Sequence, residues 1–308
     1  MADDLDKSDE KAVSRRDFLG AAAATGALAA VGSAPATAAA TEPTQPGTLQ
    51  IYKAVKWGMI GAGESVRDKF ALCRELGYDG MELVSPGAPP AAEIRAASEA
   101  TGMPVHGLVN MKHWEVRMSS PDPAVRDEAH EIMLQAIRDA AAFGGSSVLL
   151  VPGRVAGADE THDDVWQRSI VEIRRVLPLA AKLGVRVLIE NVWNGFCETA
   201  EQFRDYLDEI DSPWVGAYFD IGNAWKFAPS QNWIRTLGSR IVKLDVKGWG
   251  AASGFGKIGD GDIQWAEVRA ALAEIGFTGW ATAEVAGGGE ARLADISARM
   301  DRVLDLHK

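Results

Sequence analysis

The feature that most constrains the fold is a repeated alternation, from Val55 onward, of short apolar runs with longer segments of helical period. Some apolar runs are continuous, as in Val148–Val151 and Val187–Ile189. Continuous runs of this kind are typical of strands buried on both faces of a parallel sheet. Glycine follows several helical segments, at the position where a left-handed backbone costs least. The alternation therefore predicts eight β–α units.

The predicted strands cover 55–60, 80–84, 104–109, 147–152, 185–191, 215–220, 241–246 and 280–285. The predicted helices cover 66–76, about 90–101, 123–143, 164–183, 199–209, 230–237, 264–275 and 290–306. Eight units within residues 55–308 match an α/β fold of the (β/α)8 TIM barrel type, which usually needs about 250 residues. A doubly wound sheet is the alternative, but Gly61-Ala62-Gly63 lacks the third glycine of a dinucleotide-binding fingerprint. We therefore predict the barrel.

The first 40 residues have the pattern of a signal peptide. Paired arginines at 15 and 16 precede an apolar run over 21–31, and small residues over 36–40 offer cleavage sites. The arginine pair resembles a twin-arginine signal, which predicts export to the periplasm or the extracellular space. The apolar run is shorter than the roughly 20 residues that span a membrane, so we expect no stable membrane insertion after signal removal. Residues 41–54 are predicted to be a linker.

Composition excludes several classes of protein. The chain is 47% hydrophobic and 24% charged, as ordinary globular proteins are. Its formal charge of −11 opposes binding to a phosphate backbone, so nucleic acid is not an expected partner. Cys73 and Cys197 are the only cysteines, too few for a disulfide framework, although one bridge between them stays open. The sequence leaves the subunit count open and allows a homo-oligomer.

Four acidic residues end the last four predicted strands. They are Glu190, Asp220, Asp245 and Glu284. Strand ends converge on one mouth in a barrel, and converging carboxylates require either protonation or a bound cation. A metal is the simpler solution for four of them, although each acid alone could cap a helix or face water. An all-oxygen ligand set favours Mn²⁺ or Mg²⁺ over zinc.

Four motifs resemble those of one superfamily. They are Gly77-Tyr78-Asp79-Gly80-Met81-Glu82-Leu83, Leu188-Ile189-Glu190-Asn191, Phe219-Asp220-Ile221-Gly222-Asn223 and Ile258-Gly259-Asp260-Gly261-Asp262. The chain from about 55 to 308 resembles the sugar phosphate isomerase/epimerase superfamily, the xylose isomerase-like barrels, which include ketose 3-epimerases and hydroxypyruvate isomerases.

The resemblance implies a divalent metal site. In the ketose 3-epimerases two Glu, one Asp and one His hold the metal, and the two Glu exchange the proton. Glu190, Asp220 and Glu284 match three of these positions. The ligand histidine falls at Asp245 and a substrate-binding histidine falls at Asn223, so the sequence departs from the pattern twice.

The expected chemistry is proton transfer beside a carbonyl. A dication stabilises the enediolate that forms, while one carboxylate removes the proton and another returns it. We assign these two roles to Glu190 and Glu284. The predicted function is an exported, metal-dependent isomerase or epimerase acting on a non-phosphorylated carbohydrate or keto-sugar. Two alternatives stay open: a lyase that cleaves 3-keto-glycosides by β-elimination, and a non-catalytic sugar-binding barrel.

Six further residues are candidates for substrate binding. They are Glu82, His106, His113, Trp193, Asn223 and Lys247. Glu82 and His106 are expected to end strands two and three, where each could bind a hydroxyl or have a structural role. His113, beside Trp114, is expected on a loop as a substrate wall. Trp193 could stack on a sugar or pack the rim, and Lys247 could neutralise an anionic substrate or the enediolate.

Overall fold

A computed structural model of the protein describes residues 49–157 and 160–306. Its strands are β1 (Gln50–Lys56), β2 (Gly80–Ser85), β3 (Val105–Asn110), β4 (Ser147–Leu150), β5 (Arg186–Glu190), β6 (Val215–Asp220), β7 (Ile241–Val246), β8 (Gly248–Gly250), β9 (Gly254–Gly256) and β10 (Thr278–Ala283). Eight of them form a closed barrel in the order β1-β10-β7-β6-β5-β4-β3-β2, with every pair parallel. The predicted (β/α)8 barrel is confirmed.

Helices alternate with the barrel strands. They are α1 (Val66–Glu75), α2 (Ala91–Thr101), α3 (Pro123–Phe143), α4 (His162–Leu183), α5 (Ala200–Ile210), α6 (Ile221–Trp225), α7 (Ser230–Leu237), α8 (Trp265–Glu274) and α9 (Glu290–Leu304). Ser65 and Thr199 begin α1 and α5 with capping boxes, in which side chain and backbone satisfy each other's free groups. Gly144 and Gly184 end α3 and α4 in the left-handed conformation, as the sequence predicted.

The first barrel strand begins earlier than predicted. β1 starts at Gln50 and pairs with β10 from Gln50↔Thr278 to Val55↔Ala283, so residues 50–54 form part of the barrel rather than a linker. The exposed Gln50 and Tyr52 alternate with buried Ile51, a pattern that conceals the strand in sequence. As a consequence Lys56 ends β1, at the same end of the barrel as the strand-terminal acids.

A small antiparallel ribbon made of β8 and β9 follows β7 and was not predicted. Two glycines allow its close packing. A Cβ on Gly248 would lie 2.0 Å from the Lys257 carbonyl oxygen, and Gly261 has a φ of +95° with its Cβ position 2.3 Å from the Trp249 carbonyl oxygen. Only glycine fits such approaches without a shift of backbone.

Three other predictions concern the ends of the chain and the cysteines. The predicted signal over 1–40 and residues 41–48 of the predicted linker lie outside the described residues. Within residues 49–157 and 160–306, no helix is long and apolar enough to cross a membrane. Cys73 and Cys197 are both buried free thiols, so the bridge that the sequence left open is not formed.

Candidate active site

Four carboxyl groups meet at the carboxyl-terminal end of the barrel. We call Glu190, Asp220, Asp245 and Glu284 the carboxylate cluster, because each offers an oxygen and these oxygens all lie within 4.8 Å of one another. Glu190 and Asp220 are the last residues of β5 and β6, and Glu284 directly follows β10. The strands thus bring together the four acids that the sequence singled out.

The backbone register explains why this cluster is charged so densely. Asp220 of β6 pairs directly with Asp245 of β7, and both side chains are fully buried. Like charges directly opposite each other on neighbouring strands are destabilising, so these two positions need a positive partner.

Two lysines supply part of that positive charge. Lys56 Nζ lies 3.0 Å from Asp245 Oδ2 and 3.1 Å from Glu284 Oε1. It also lies 3.2 Å from Glu82 Oε2. Lys247 Nζ lies 2.7 Å from Asp220 Oδ2 and forms a second ion pair with Glu284 Oε2. Three of the four cluster residues therefore contact an ammonium group.

Burial and charge shift the pKa values within the cluster in opposite directions. Burial raises the pKa of Asp220 to about 7, although Lys247 opposes the shift. Burial also raises the pKa values of Glu190 and Asp245, and the charge of Glu284 adds to both shifts. Burial would raise the pKa of Glu284 too, but its two ion pairs with Lys56 and Lys247 hold it well below the ordinary value.

The donor set fits a divalent cation. Glu190 forms no ion pair within the described parts of the chain, and the buried Asp245 Oδ1 accepts no hydrogen bond there. Two lysines cannot balance the four cluster residues together with Glu82. Hard carboxylate oxygens of this kind are the ligands that Mg²⁺ and Mn²⁺ prefer. The cluster could therefore hold one such ion.

Two asparagines connect the cluster residues to the backbone. Asn191 Oδ1 accepts a hydrogen bond of 2.7 Å from the Asp220 amide, and its Nδ2 donates to the Asp220 carbonyl. The backbone N–H of Asn223 donates a hydrogen bond of 2.6 Å to Asp220 Oδ1, so the Asp220 side chain caps α6. Asn223 Nδ2 lies 3.4 Å from Glu190 Oε1. Asn223 thus reaches the two neighbouring acids from the start of α6.

Two cavities are lined by both glutamates of the cluster. The inner compartment, of about 330 Å³, is bounded by Lys56, His113 and Trp114 together with side chains from β2, β3 and β4. The outer compartment, of about 280 Å³, is bounded by Trp193, Asn223, Lys247 and Phe255. Glu190, Glu284 and Trp114 line both compartments. A molecule at these two glutamates can therefore extend to either side.

Comparison with known proteins identifies the fold family. Residues 70–303 match the family described as xylose isomerase-like TIM barrels. The chain belongs to this family. Among curated relatives it is similar to D-psicose 3-epimerase of Ruminiclostridium cellulolyticum, with 26% identity over 67% of this chain and 73% of the relative. It is also similar to L-ribulose-5-phosphate 3-epimerase of Salmonella heidelberg, with 24% identity over 54% of this chain and 63% of the relative. The latter match thus spans less than two thirds of that relative's length.

Solved structures show the same architecture as this xylose isomerase-like barrel. An L-ribulose 3-epimerase superposes with a TM-score of 0.72 at 19% identity, covering 83% of this chain and 95% of that chain. A 3-keto-D-glucoside 4-epimerase of E. coli superposes with a TM-score of 0.70 at 14% identity, covering 84% of this chain and 100% of that chain. At such identities the likeness concerns the fold alone.

Four of the six predicted substrate-binding residues lie at the mouth of this xylose isomerase-like barrel. His113 lines the inner compartment, and Trp193, Asn223 and Lys247 line the outer one. Trp193 donates from Nε1 to the Asn223 carbonyl over 2.9 Å and stacks on Phe255 at 4.6 Å between ring centroids. Lys247 has its ammonium bound to cluster carboxylates, so its first partners are protein acids rather than a substrate.

The other two predicted residues do not lie at strand ends. Glu82 is the third residue of β2, and His106 is the second residue of β3, so the expectation that they end their strands was wrong. Glu82 is the direct partner of Lys56 in the register of β1 and β2, so it lies next to the carboxylate cluster in spite of its place within the strand. Glu82 is fully buried and pairs with Lys56. His106 stacks on Trp280, and its Nδ1 lies 2.8 Å from Lys243 Nζ.

Sequence reasoning missed Lys56. Its ammonium contacts two cluster residues, Asp245 and Glu284, just as the ammonium of Lys247 contacts Asp220 and Glu284. The signal was present, because Lys56 follows the apolar pair Ala54-Val55 just as Glu190 follows its apolar run. Placing β1 at 55–60 put this lysine near the beginning of the strand instead of at its end.

Proposed function

We propose that the protein is a metal-dependent sugar isomerase or epimerase, which moves a proton on a carbon next to a carbonyl group through an enediolate. One observation carries the proposal: two glutamates that line an open cavity share a cluster of carboxylate oxygens within 4.8 Å with two buried aspartates. Such a set combines groups that can exchange a proton with groups that can hold a cation. The relatives named as 3-epimerases support the same reaction class.

The residues of the carboxylate cluster differ in whether they line a cavity, and their proposed roles differ accordingly. Asp220 and Asp245 are fully buried and would hold the metal together with Glu190 and Glu284. A bound Mn²⁺ or Mg²⁺ supplies positive charge that favours the enediolate. Glu190 and Glu284 also face the cavities, so one removes the proton from the substrate carbon and the other returns it. Asn223 holds Asp220 and Glu190 in place from the start of α6.

The substrate class follows from the sequence and the relatives together. We propose a non-phosphorylated carbohydrate or keto-sugar, since the twin-arginine pattern of residues 1–40 favours export to the periplasm or the extracellular space. One relative is named for D-psicose, a sugar without phosphate, and one for a sugar phosphate. Export favours the first kind of substrate.

The test is proton exchange in D₂O. Protein supplied with Mn²⁺ is incubated separately with D-psicose, D-fructose and a 3-keto-glucoside, and the products are followed by NMR. We expect deuterium at a carbon beside the carbonyl and a second sugar isomer. An unsaturated product with a released aglycone would instead identify the β-eliminating lyase. No exchange and no elimination with any of the three would contradict the proposal and favour a sugar-binding barrel.

A further inference from the structure

The two sides of the barrel mouth differ in chemistry. The acids of the carboxylate cluster lie at the carboxyl-terminal ends of β5, β6, β7 and β10. The side chains that line the inner compartment from the β1–β4 half are mostly apolar: Met59, Leu83, Val84, Val109, Met111 and Leu149. The mouth is therefore acidic and polar on one half and apolar on the other.

The apolar half offers few partners to hydroxyl groups. Besides Glu190 and Glu284, the side chains with polar atoms that line the inner compartment are Lys56, His113 and Trp114. Lys56 is held by three acids, and His113 Nδ1 accepts a hydrogen bond of 3.2 Å from the Val151 amide. A sugar ring placed there would lose water from several hydroxyls without replacing those hydrogen bonds, which is costly.

The outer compartment suits a sugar ring better. Its lining contains Asn223, Lys247 and Trp193, and its purely apolar lining residues are only Val192 and Phe255, so polar and amphipathic side chains dominate it. Aromatic side chains with a few polar groups are a common environment for sugar rings. Because Glu190 and Glu284 line both compartments, a sugar held on this side leaves the inner compartment for whatever the sugar carries.

Exposed apolar side chains mark the border between the compartments. Trp114 is 42% exposed and lines both cavities, and Met111 is 50% exposed and lines the inner one. Large apolar side chains that stay exposed together at a cavity are typical of a binding site. Their position beside the glutamates points to a ligand that continues past the reacting sugar.

We infer that the substrate is a glycoside whose sugar ring carries a ketone and whose aglycone is apolar, with the aglycone in the inner compartment and the sugar ring against Trp193 and Asn223. The inference rests on the proposed function, because it takes Glu190 and Glu284 as the groups that reach the reacting carbon. It narrows the substrate from carbohydrates in general to sugars linked to an aromatic or aliphatic group. Val84 and Val109 would contact that group directly.

Binding of two matched glycosides tests the inference without turnover. Methyl β-D-glucopyranoside and phenyl β-D-glucopyranoside differ only in the aglycone, and each is titrated calorimetrically into protein supplied with Mn²⁺. We expect the phenyl glycoside to bind at least about tenfold more tightly, because a phenyl ring buries more apolar surface than a methyl group.

Two variants test whether the inner compartment causes the difference in affinity between the two glycosides. Met111→Gln changes an exposed side chain, so the fold should be unaffected, and Val109→Asn places an amide in the wall. Each should weaken phenyl glycoside binding at least about threefold and leave methyl glycoside binding unchanged. Leu183→Gln, on an exposed apolar residue of α4 that lines neither compartment, is the matched control and should change neither value.

Several outcomes would overturn the inference. These are equal affinity for the two glycosides, no binding of the phenyl glycoside, or an aryl preference that survives both wall variants. Equal affinity together with deuterium exchange into ketoses would remove the aglycone site and leave the proposed function intact. A preference for the phenyl glycoside without any deuterium exchange would leave the aglycone site intact and contradict the proposed function.

Discussion

The carboxylate cluster and Glu82 place five carboxyl groups around two lysine ammonium groups. Lys56 and Lys247 each bridge acids from different strands, so the excess negative charge must be met by protons or by another cation. The raised pKa values of Glu190, Asp220 and Asp245 show the cost of keeping that charge buried. A dication would relieve the same cost.

Replacing either glutamate that lines the cavities should strongly slow proton transfer without unfolding the protein. We expect Glu190→Gln and Glu284→Gln each to reduce deuterium exchange into the substrate by about 10²–10⁴-fold, the range of a general acid–base contribution. Glu274→Gln removes an exposed carboxylate of α8 that pairs with Arg235 and serves as the control. NMR in D₂O measures the rates, and circular dichroism checks the fold. Exchange at the wild-type rate in either glutamate variant would contradict the assigned roles.

Lys56 should oppose metal binding. Its ammonium lies within 3.1 Å of oxygens on Asp245 and Glu284, two of the residues that would hold the ion. Lys56→Met keeps the aliphatic stem and removes the charge, so the affinity for Mn²⁺ should rise at least about tenfold. Calorimetric titration of Mn²⁺ measures the change.

The control for that experiment is Lys69→Met. Lys69 Nζ donates to the Ile60 carbonyl and lies over the Trp57 ring, so its loss removes a lysine charge outside the carboxylate cluster. Its affinity for Mn²⁺ should stay near the wild-type value. Unchanged or weaker Mn²⁺ binding in Lys56→Met would show that Lys56 supports the site rather than competing with the ion.

Individual strands and loops show which local patterns can be recognised in sequence. β6 was predicted with its observed bounds because its apolar run ends in Asp220. β7 was predicted with its observed bounds although Lys243 and Asp245 interrupt its apolar residues. The predicted bounds of β1 were wrong because its first residues alternate between exposed and buried positions. The ribbon of β8 and β9 was missed because its glycine-rich residues carry no hydrophobic period.

The barrel interior contains a polar network that no periodic pattern predicts. Lys243 Nζ on β7 donates to Ser147 Oγ on β4 over 2.7 Å and to the His106 carbonyl on β3 over 2.6 Å. His106 Nε2 contacts Thr282 of β10 at 3.2 Å, and Thr282 in turn contacts the Tyr218 hydroxyl of β6 at 2.7 Å. The network links five strands below the carboxylate cluster.

Lys243 should make stability depend on pH. Burial lowers its pKa to about 7 from 10.5, although the charge of Glu82 opposes this shift. Between these two values the unfolded chain binds a proton that the folded protein does not. The free energy of unfolding should therefore rise with pH in that window, by on the order of 1 kcal/mol per pH unit from this group.

Urea unfolding at pH 7, 8 and 9 tests this expectation. Lys243→Met should show a flatter rise in the free energy of unfolding than the wild type. Lys182→Met, on the exposed surface of α4, should follow the wild type. His106 faces Lys243 directly, and burial followed by the charge of Lys243 keeps its pKa well below the ordinary value, so His106 stays neutral throughout the window. Parallel curves for wild type and Lys243→Met would contradict the assignment.

For the molecule as a whole, the sequence predicted the barrel and the meeting of four acids. Both follow from a rule that applies to every strand: parallel strands in a barrel end at the same mouth. The ion pairs that the two lysines form with the cluster, the ribbon, and the division of the mouth into an apolar and an acidic half could not be predicted. They depend on side chains from distant strands meeting across the barrel, as Lys56 of β1 meets Asp245 of β7.

The signal peptide, export, the absence of nucleic-acid binding and a homo-oligomeric state stay predictions from the sequence. Each concerns residues outside the described parts of the chain or partners of the whole protein. None alters the geometry at the barrel mouth, where the proposed chemistry depends on one property of the carboxylate cluster.

That property is metal binding, and calorimetric titration of Mn²⁺ and Mg²⁺ into the chelator-treated protein tests it most directly. The predicted result is one dication per chain, with affinity at least about tenfold weaker in Asp220→Asn and Asp245→Asn and unchanged in Glu274→Gln. The account would be contradicted if the wild-type protein bound neither ion at millimolar concentration. It would also be contradicted if all three variants had the same affinity for the ion.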